Sequence, residues 1–245
     1  MRRRRPPATL TVLDRREAIA LLGLAGSALL VGCSGAAEGP ACVLAPELTA
    51  GPYWQDEGLE RGDLRWDTHR LAVPDPRPGV PLQLDLRLLA SSDLGCHPVR
   101  GAQVDLWHCD AMGIYSDVAE SGTAGQNFLR GYQITDAAGA VSFRTIYPGW
   151  YAGRAVHIHA KVRLFDPYGE RTTEVSTQLF FDDAVTDAVH SVEPYRQRGP
   201  RDTRNAMDAI YGGRRELLIS LEGDPTSRYL GAIELAVRVG HINGG

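Results

Sequence analysis

The chain has 245 residues, a formal net charge of −4, 43% hydrophobic residues and four cysteines. That length can bury a full core in one domain. The acidic balance argues against a nucleic-acid partner, whose phosphates call for a basic surface.

Residues 1–32 read as an export signal. They carry a basic start, the pair Arg15-Arg16 and an apolar run from Ala18 to Val31. The paired arginines predict the twin-arginine route. The run is too short and wrongly flanked for a membrane-spanning helix. Leu30-Val31-Gly32-Cys33 resembles a bacterial lipobox, which predicts Cys33 as a lipidated first residue and makes the mature protein a cell-surface or extracellular one. The alternative is a plain secretory peptide cleaved near Ala36. Removing residues 1–32 leaves 213 residues, and because that segment carries six arginines against Asp14 and Glu17, the mature charge falls near −8. Residues 33–41 are small and polar, a tether, and residues 42–245 form the domain. Outside the cytoplasm a disulfide is expected among Cys42, Cys96 and Cys109. Cys42 and Cys96 sit in loops or at strand edges and are the expected pair. Cys109 lies on the strand leading to Tyr115.

Leu48 to Trp54 is a turn with two aromatics, and residues 55–79 read as charged, Pro/Gly-rich loop. From Pro81 to Leu89 apolar and polar residues alternate, with Leu82, Leu84, Leu86 and Leu88 on one face, the pattern of a half-buried strand. Further strands are expected over 102–107, 130–135, 140–146, 155–165, 174–181, 216–221 and 229–239. Residues 184–213 are polar with short helical stretches. Many short strands separated by turn signals predict an all-β fold, an antiparallel sandwich or barrel with long loops and short helices.

The chemistry concentrates in FRTIYPGWYAGRAVHIHAKV, residues 143–162. His157 and His159 flank one Ile, so on a strand both imidazoles lie on one face, about 6–7 Å apart at the backbone. Such a pair can chelate one metal ion. Tyr151 follows the Pro148-Gly149 turn, and Tyr115 follows a second turn in CDAMGIYSD. A phenolate is a hard anionic donor, and imidazole suits iron, copper, zinc and nickel. Two tyrosines with two histidines favour ferric iron over zinc.

Other readings exist for each part. A His-x-His pair also occurs in cupins, but those place a Glu soon after it, and Ala160 to Phe165 offers none. The run Pro98 to Val104, the Thr135–Gly139 turn and Tyr147-Pro-Gly149 suit a non-catalytic β-sandwich binding module equally well. A zinc or copper site in the same place is a further alternative. His108 shares a face with Leu106 and reads as a packed core histidine. His69, His97, His190 and His241 fall in polar loops or at the chain end.

Taken jointly, residues 49–54, 104–116, 143–151, 154–159 and 177–181 resemble the intradiol ring-cleavage dioxygenases, the family of protocatechuate 3,4-dioxygenase and catechol 1,2-dioxygenase. The likeness covers about residues 42–240 and is nearest to a secreted branch. It implies a non-haem Fe(III) held by Tyr115, Tyr151, His157 and His159. It implies that Arg154 and Gln178 face the substrate, with Tyr151 acting as a displaceable ligand and base. It further implies a catechol-type substrate and O₂, with the ring split between its two hydroxyl-bearing carbons to a muconate-type diacid. Loops such as Tyr53-Trp54 and 117–127 would wall the pocket. Two departures stand out. The usual insertion between the second Tyr and the Arg is reduced to Ala152-Gly153, which predicts a more open site. There is also no room for the helical N-terminal region of catechol 1,2-dioxygenases.

Overall fold

The computed structural model describes residues 43–69, 76–92 and 95–238. The export signal, Cys33, the tether, Cys42 and His241 lie outside them.

Among the described residues, nine strands form two sheets. The first holds β1 (Pro81–Ser92), β2 (Gly95–Pro98), β5 (Ala140–Ile146), β8 (Ser220–Gly223) and β9 (Tyr229–Arg238), in the order β2-β1-β9-β8 with β5 also against β1. The second runs β4 (Arg130–Ile134), β3 (Gln103–Trp107), β6 (His157–Phe165), β7 (Arg171–Phe180). The helix α1 (Asp183–His190) follows β7, its first turn capped by the Asp182 carboxylate, which accepts from Ala184 N. Among the described residues, no helix is long and apolar enough to cross a membrane.

Strand alternation decides what is buried. On β1, Leu82, Leu84, Leu86 and Leu88 are all essentially inaccessible. On β6, the even residues Ile158, Ala160, Val162 and Leu164 face the same core, which they share with Val104 and Leu106 of β3 and Phe143 of β5. The odd residues of β6 are therefore forced to the opposite face of the second sheet. The N-terminal loop covers that face, tied down where Leu48 N donates to Ser176 O (2.8 Å). Farther along it, Arg163 pairs with Asp105 (2.6 Å) and Lys161 with Glu174 (2.8 Å).

The structure departs from the sequence reading at several strands, β7 among them, which starts at Arg171 rather than at 174. The β1–β9 pair is parallel, not antiparallel. Parallel neighbours need a crossover connection, and everything between the two strands supplies it. β2 was not expected, since four residues holding Gly95 and Pro98 show no usable period. It also puts His97 on a strand, exposed. β6 begins at His157, two residues later than the pattern suggested. The 216–221 strand is a 3₁₀ turn at Arg215–Leu217 followed by β8.

Candidate metal centre

Two glycines bring the two tyrosine-bearing turns together. In the first turn, Asp110 Oδ1 accepts from Met112 N (2.9 Å) and Ile114 N (3.0 Å) and shapes the chain up to Tyr115. Gly113 takes φ +80°, and a Cβ there would stand 2.1 Å from Trp150 O. Gly149 faces the other way, and a Cβ on it would stand 2.4 Å from Ala111 O. Only bare backbone allows this approach. The result is Tyr115 and Tyr151 with ring centroids 5.7 Å apart.

Both tyrosines meet the histidine pair. Tyr151 Oη lies 3.2 Å from His157 Nε2, and His157 Nε2 lies 3.1 Å from His159 Nε2. His157 Nδ1 is 2.7 Å from Ala155 O, so the proton on that nitrogen is held by a carbonyl and Nε2 presents a lone pair. His159 is stacked on Trp107, its partner across β3, at 4.8 Å and 6°. Tyr115 completes the set, 6.2 Å from the His159 ring between centroids, its hydroxyl buried with no hydrogen bond of normal geometry. Gly51 closes one side: a Cβ there would be 3.3 Å from His159 Cε1.

The electrostatics fit a cation. Burial, reinforced by the Arg154 charge, pushes His157 down to about 3. Burial and its neighbour His157 hold His159 well below the ordinary value too. Both imidazoles are thus neutral donors. Burial also raises Tyr115 well above the ordinary phenol value and Tyr151 to about 12. Phenolates in so dry a place need a positive ion beside them, and a bound metal inverts this local preference. The buried, unpartnered Tyr115 hydroxyl and the converging Nε2 atoms suit a hard ion with oxygen and nitrogen ligands. Among the described residues, no group of three or more His, Cys, Asp or Glu side chains is placed to hold a metal, and this centre, with two histidines and two tyrosines, is of a different kind.

Arg154 and Gln178 border this centre together. Arg154 Nη2 donates to Gln178 Oε1 (2.5 Å), and Gln178 Nε2 donates to Thr49 O (2.9 Å). Gln178 pairs with His159 across β6 and β7. Arg154 lies in the turn ahead of β6, not on the strand. Tyr53 stacks on Tyr115 at 4.5 Å and stands edge-on to Tyr151 at 6.3 Å. Trp54 is placed differently from the expected pocket wall. It packs on Trp107 at 4.5 Å, with Lys161 over its ring at 4.0 Å, and so stands behind the Trp107 ring that supports His159. A broad indole next to a buried ammonium gains from that seat. His108 is a core residue, buried between Thr145 Oγ1 (2.7 Å) and Cys109 O (2.8 Å).

Two contributors carry no local signal in the sequence. Asp208 reaches Arg154 Nε at 2.9 Å from 54 residues away. Trp107 could have been found only by knowing that β3 pairs with β6 in this register. Cys109 is a free, buried thiol, and Cys96 is disulfide-bonded.

A family profile described as "Dioxygenase" matches residues 50–198. The protocatechuate 3,4-dioxygenase beta chain of Burkholderia cepacia is 32% identical over 167 residues, 64% of this chain and 66% of that one. The chain thus spans just under two thirds of that curated relative. Among solved structures, an intradiol ring-cleavage dioxygenase from Tetranychus urticae superposes with a TM-score of 0.67 at 30% identity. That match covers 82% of this chain and 96% of the other. The dioxygenase domain of a carbohydrate-binding fusion protein from Streptomyces sp. SirexAA-E superposes at 0.57 with 27% identity, over 81% and 100%. The profile covers more than half of the chain, and the fold agrees over nearly all of the Tetranychus urticae protein: this chain belongs to the intradiol ring-cleavage dioxygenase family.

Proposed function

We propose that the protein is a non-haem Fe(III) dioxygenase that opens catechol-type rings between the two hydroxyl-bearing carbons with O₂, giving muconate-type diacids. The observation that carries this reading is the buried convergence of Tyr151 Oη, His157 Nε2 and His159 Nε2 beside the unpartnered Tyr115 hydroxyl. These four residues would hold the iron. When bound, ferric iron supplies a Lewis acid and a template for a chelating diol.

The remaining work falls to the chain. A catechol must shed protons before it can chelate. Tyr151, once ionised, is a strong acceptor at Oη, because burial raises its proton affinity to about 12. Its neighbour His157 cannot compete, being held neutral and weakly basic. Arg154 presents a fixed positive charge where electron density moves from the ring towards O₂, and preorganised charge of this kind dominates many rate enhancements. Gln178, held by Thr49 O, keeps the guanidinium on the site side of the turn. Tyr53 stacks against Tyr115 and offers a ring face to an aromatic substrate.

For location, the Arg15-Arg16 signal and the Cys33 lipobox support export and a lipid anchor. The disulfide at Cys96 supports an oxidising compartment, and Cys42 is its proposed partner. The functional reading is tested on purified protein reconstituted with ferric iron. Phenolate ligands to Fe(III) give a visible charge-transfer band, and Tyr115→Phe and His157→Ala should each lose most of the iron and the band. Wild-type iron content in both variants would remove those residues from the ligand set. A colourless wild type would favour zinc or a non-catalytic module.

A further inference from the structure

Arg154 is not held by β6, the strand that follows it. The turn from Trp150 to Ala155, which separates Tyr151 from His157, is fastened to a segment about fifty residues downstream. Trp150 Nε1 donates to Gly199 O (3.1 Å). Gly153 N donates to the Asp202 carboxylate (3.2 and 3.3 Å). Asp208 makes the densest connection. Its Oδ2 accepts from Arg154 Nε (2.9 Å) and from Ala155 N (2.8 Å). Its Oδ1 accepts from Ile210 N (2.7 Å) and Tyr211 N (3.1 Å). The residue is only 4% exposed, so all four donors act on one carboxylate shielded from water.

The geometry divides the guanidinium. Nε is turned to Asp208, and Nη2 is turned to Gln178, which faces His159 across β6 and β7. Asp208 also fixes Ala155, whose carbonyl holds His157 Nδ1 at 2.7 Å. The amide it holds belongs to the 154–155 peptide and the carbonyl used by His157 to the next one, so the carboxylate's direct hold is on the direction of the Arg154 charge. The segment carrying Asp208 is itself braced. Arg201 pairs with Asp183 and Asp187 of α1, and Asn205 Nδ2 donates to Phe181 O (2.7 Å), three residues beyond Gln178.

We propose that Asp208 is a positioning residue for the ring-cleaving reaction. It aims the Arg154 guanidinium at the reacting centre and does not itself touch substrate. The inference rests on the functional reading above. A guanidinium left to rotate would keep its charge and lose its place, and a misplacement of about 1 Å in such a group costs on the order of 10²-fold in rate.

Asp208→Asn keeps the side-chain shape and removes the charge. Asp208→Glu keeps the charge and displaces the guanidinium by one methylene. The test measures kcat per bound iron, KM for catechol, iron content, and the melting temperature of the iron-free protein. It does so for each variant alone and on an Arg154→Ala background. The expected result is a loss of about 10- to 100-fold in kcat for both single variants. KM and iron content should change little. On the Arg154→Ala background neither change should lower kcat further, since the group it aims is gone. A kcat within twofold of wild type per iron in both variants, with only the melting temperature lowered, overturns the inference. So does a loss that adds in full to that of Arg154→Ala. An iron-loaded wild type without turnover on catechols overturns the functional reading and this inference with it. A working wild type beside unimpaired Asp208 variants overturns the inference alone.

Discussion

Arg154 carries the sharpest division between a catalytic and a structural residue. Its side chain is about 17% exposed and forms an ion pair with Asp208, as a structural arginine would. Its other arm meets Gln178, beside His159, as a residue serving the metal centre would. Guanidinium carries only donors, so it is no metal ligand. Arg154→Ala should keep iron and colour and lose about 10²–10³ in kcat. Normal iron-normalised turnover with a lowered melting temperature would assign it to structure. At this scale the sequence was readable wherever the chemistry is local. His157 and His159 share a face because of their spacing, and Tyr115 and Tyr151 follow recognisable turns. Asp208 was not readable, because 54 residues separate it from Arg154 and only the tertiary fold joins them. The seat of Trp54 was not readable for a related reason. The stretch shows an aromatic turn, but not that Trp107 lies between that indole and His159.

At the scale of elements, β6 is the strand that divides core from chemistry. Its even residues complete the sandwich interior, and its odd residues pass from the histidine pair to the ion pairs of Lys161 and Arg163. That alternation, like the leucine row of β1, was legible because a period of two needs no knowledge of neighbours. The parallel β1–β9 pairing was not legible, since pairing direction is set by a connection of more than a hundred residues. His108 links the sheets: it follows β3 of the second and contacts Thr145 on β5 of the first. Burial pushes it down to about 4, from about 6.5 in an unfolded chain. The folded pKa is depressed, so the unfolded chain gains a proton first as pH falls. The stability from neutral His108 is complete above about 6.5 and is lost as pH falls from there to about 4, a change of roughly 3 kcal/mol. His108→Gln should therefore show a shallower fall in unfolding free energy than wild type across that window in denaturant titrations. Parallel curves would show that His108 is not held neutral.

At the largest scale, the described residues read as one β-sandwich carrying a dry centre at the end of its second sheet, under a loop that begins near Leu48. The fold class and the family were legible because motif and alternation agree along most of the chain. The substrate's ring substituents are not encoded in any one stretch, because the residues around the centre come from segments as far apart as Tyr53 and Asp208. Non-reducing peptide mapping should recover Cys96 joined to Cys42, with Cys109 alkylated only after unfolding, since burial raises its thiol far above the ordinary range. A Cys33–Cys96 peptide would contradict that pairing. It would also contradict the lipobox reading, which further predicts that Cys33→Ser shifts the protein from membranes to the soluble fraction. The most direct test of the central claim is the product. Iron-loaded protein is given catechol under isotopically labelled O₂, and the product is identified by mass spectrometry. The account predicts a muconate-type diacid carrying both labelled oxygen atoms. A product opened beside the diol, with an aldehyde in place of the second acid, or no ring opening by fully iron-loaded protein, would contradict it.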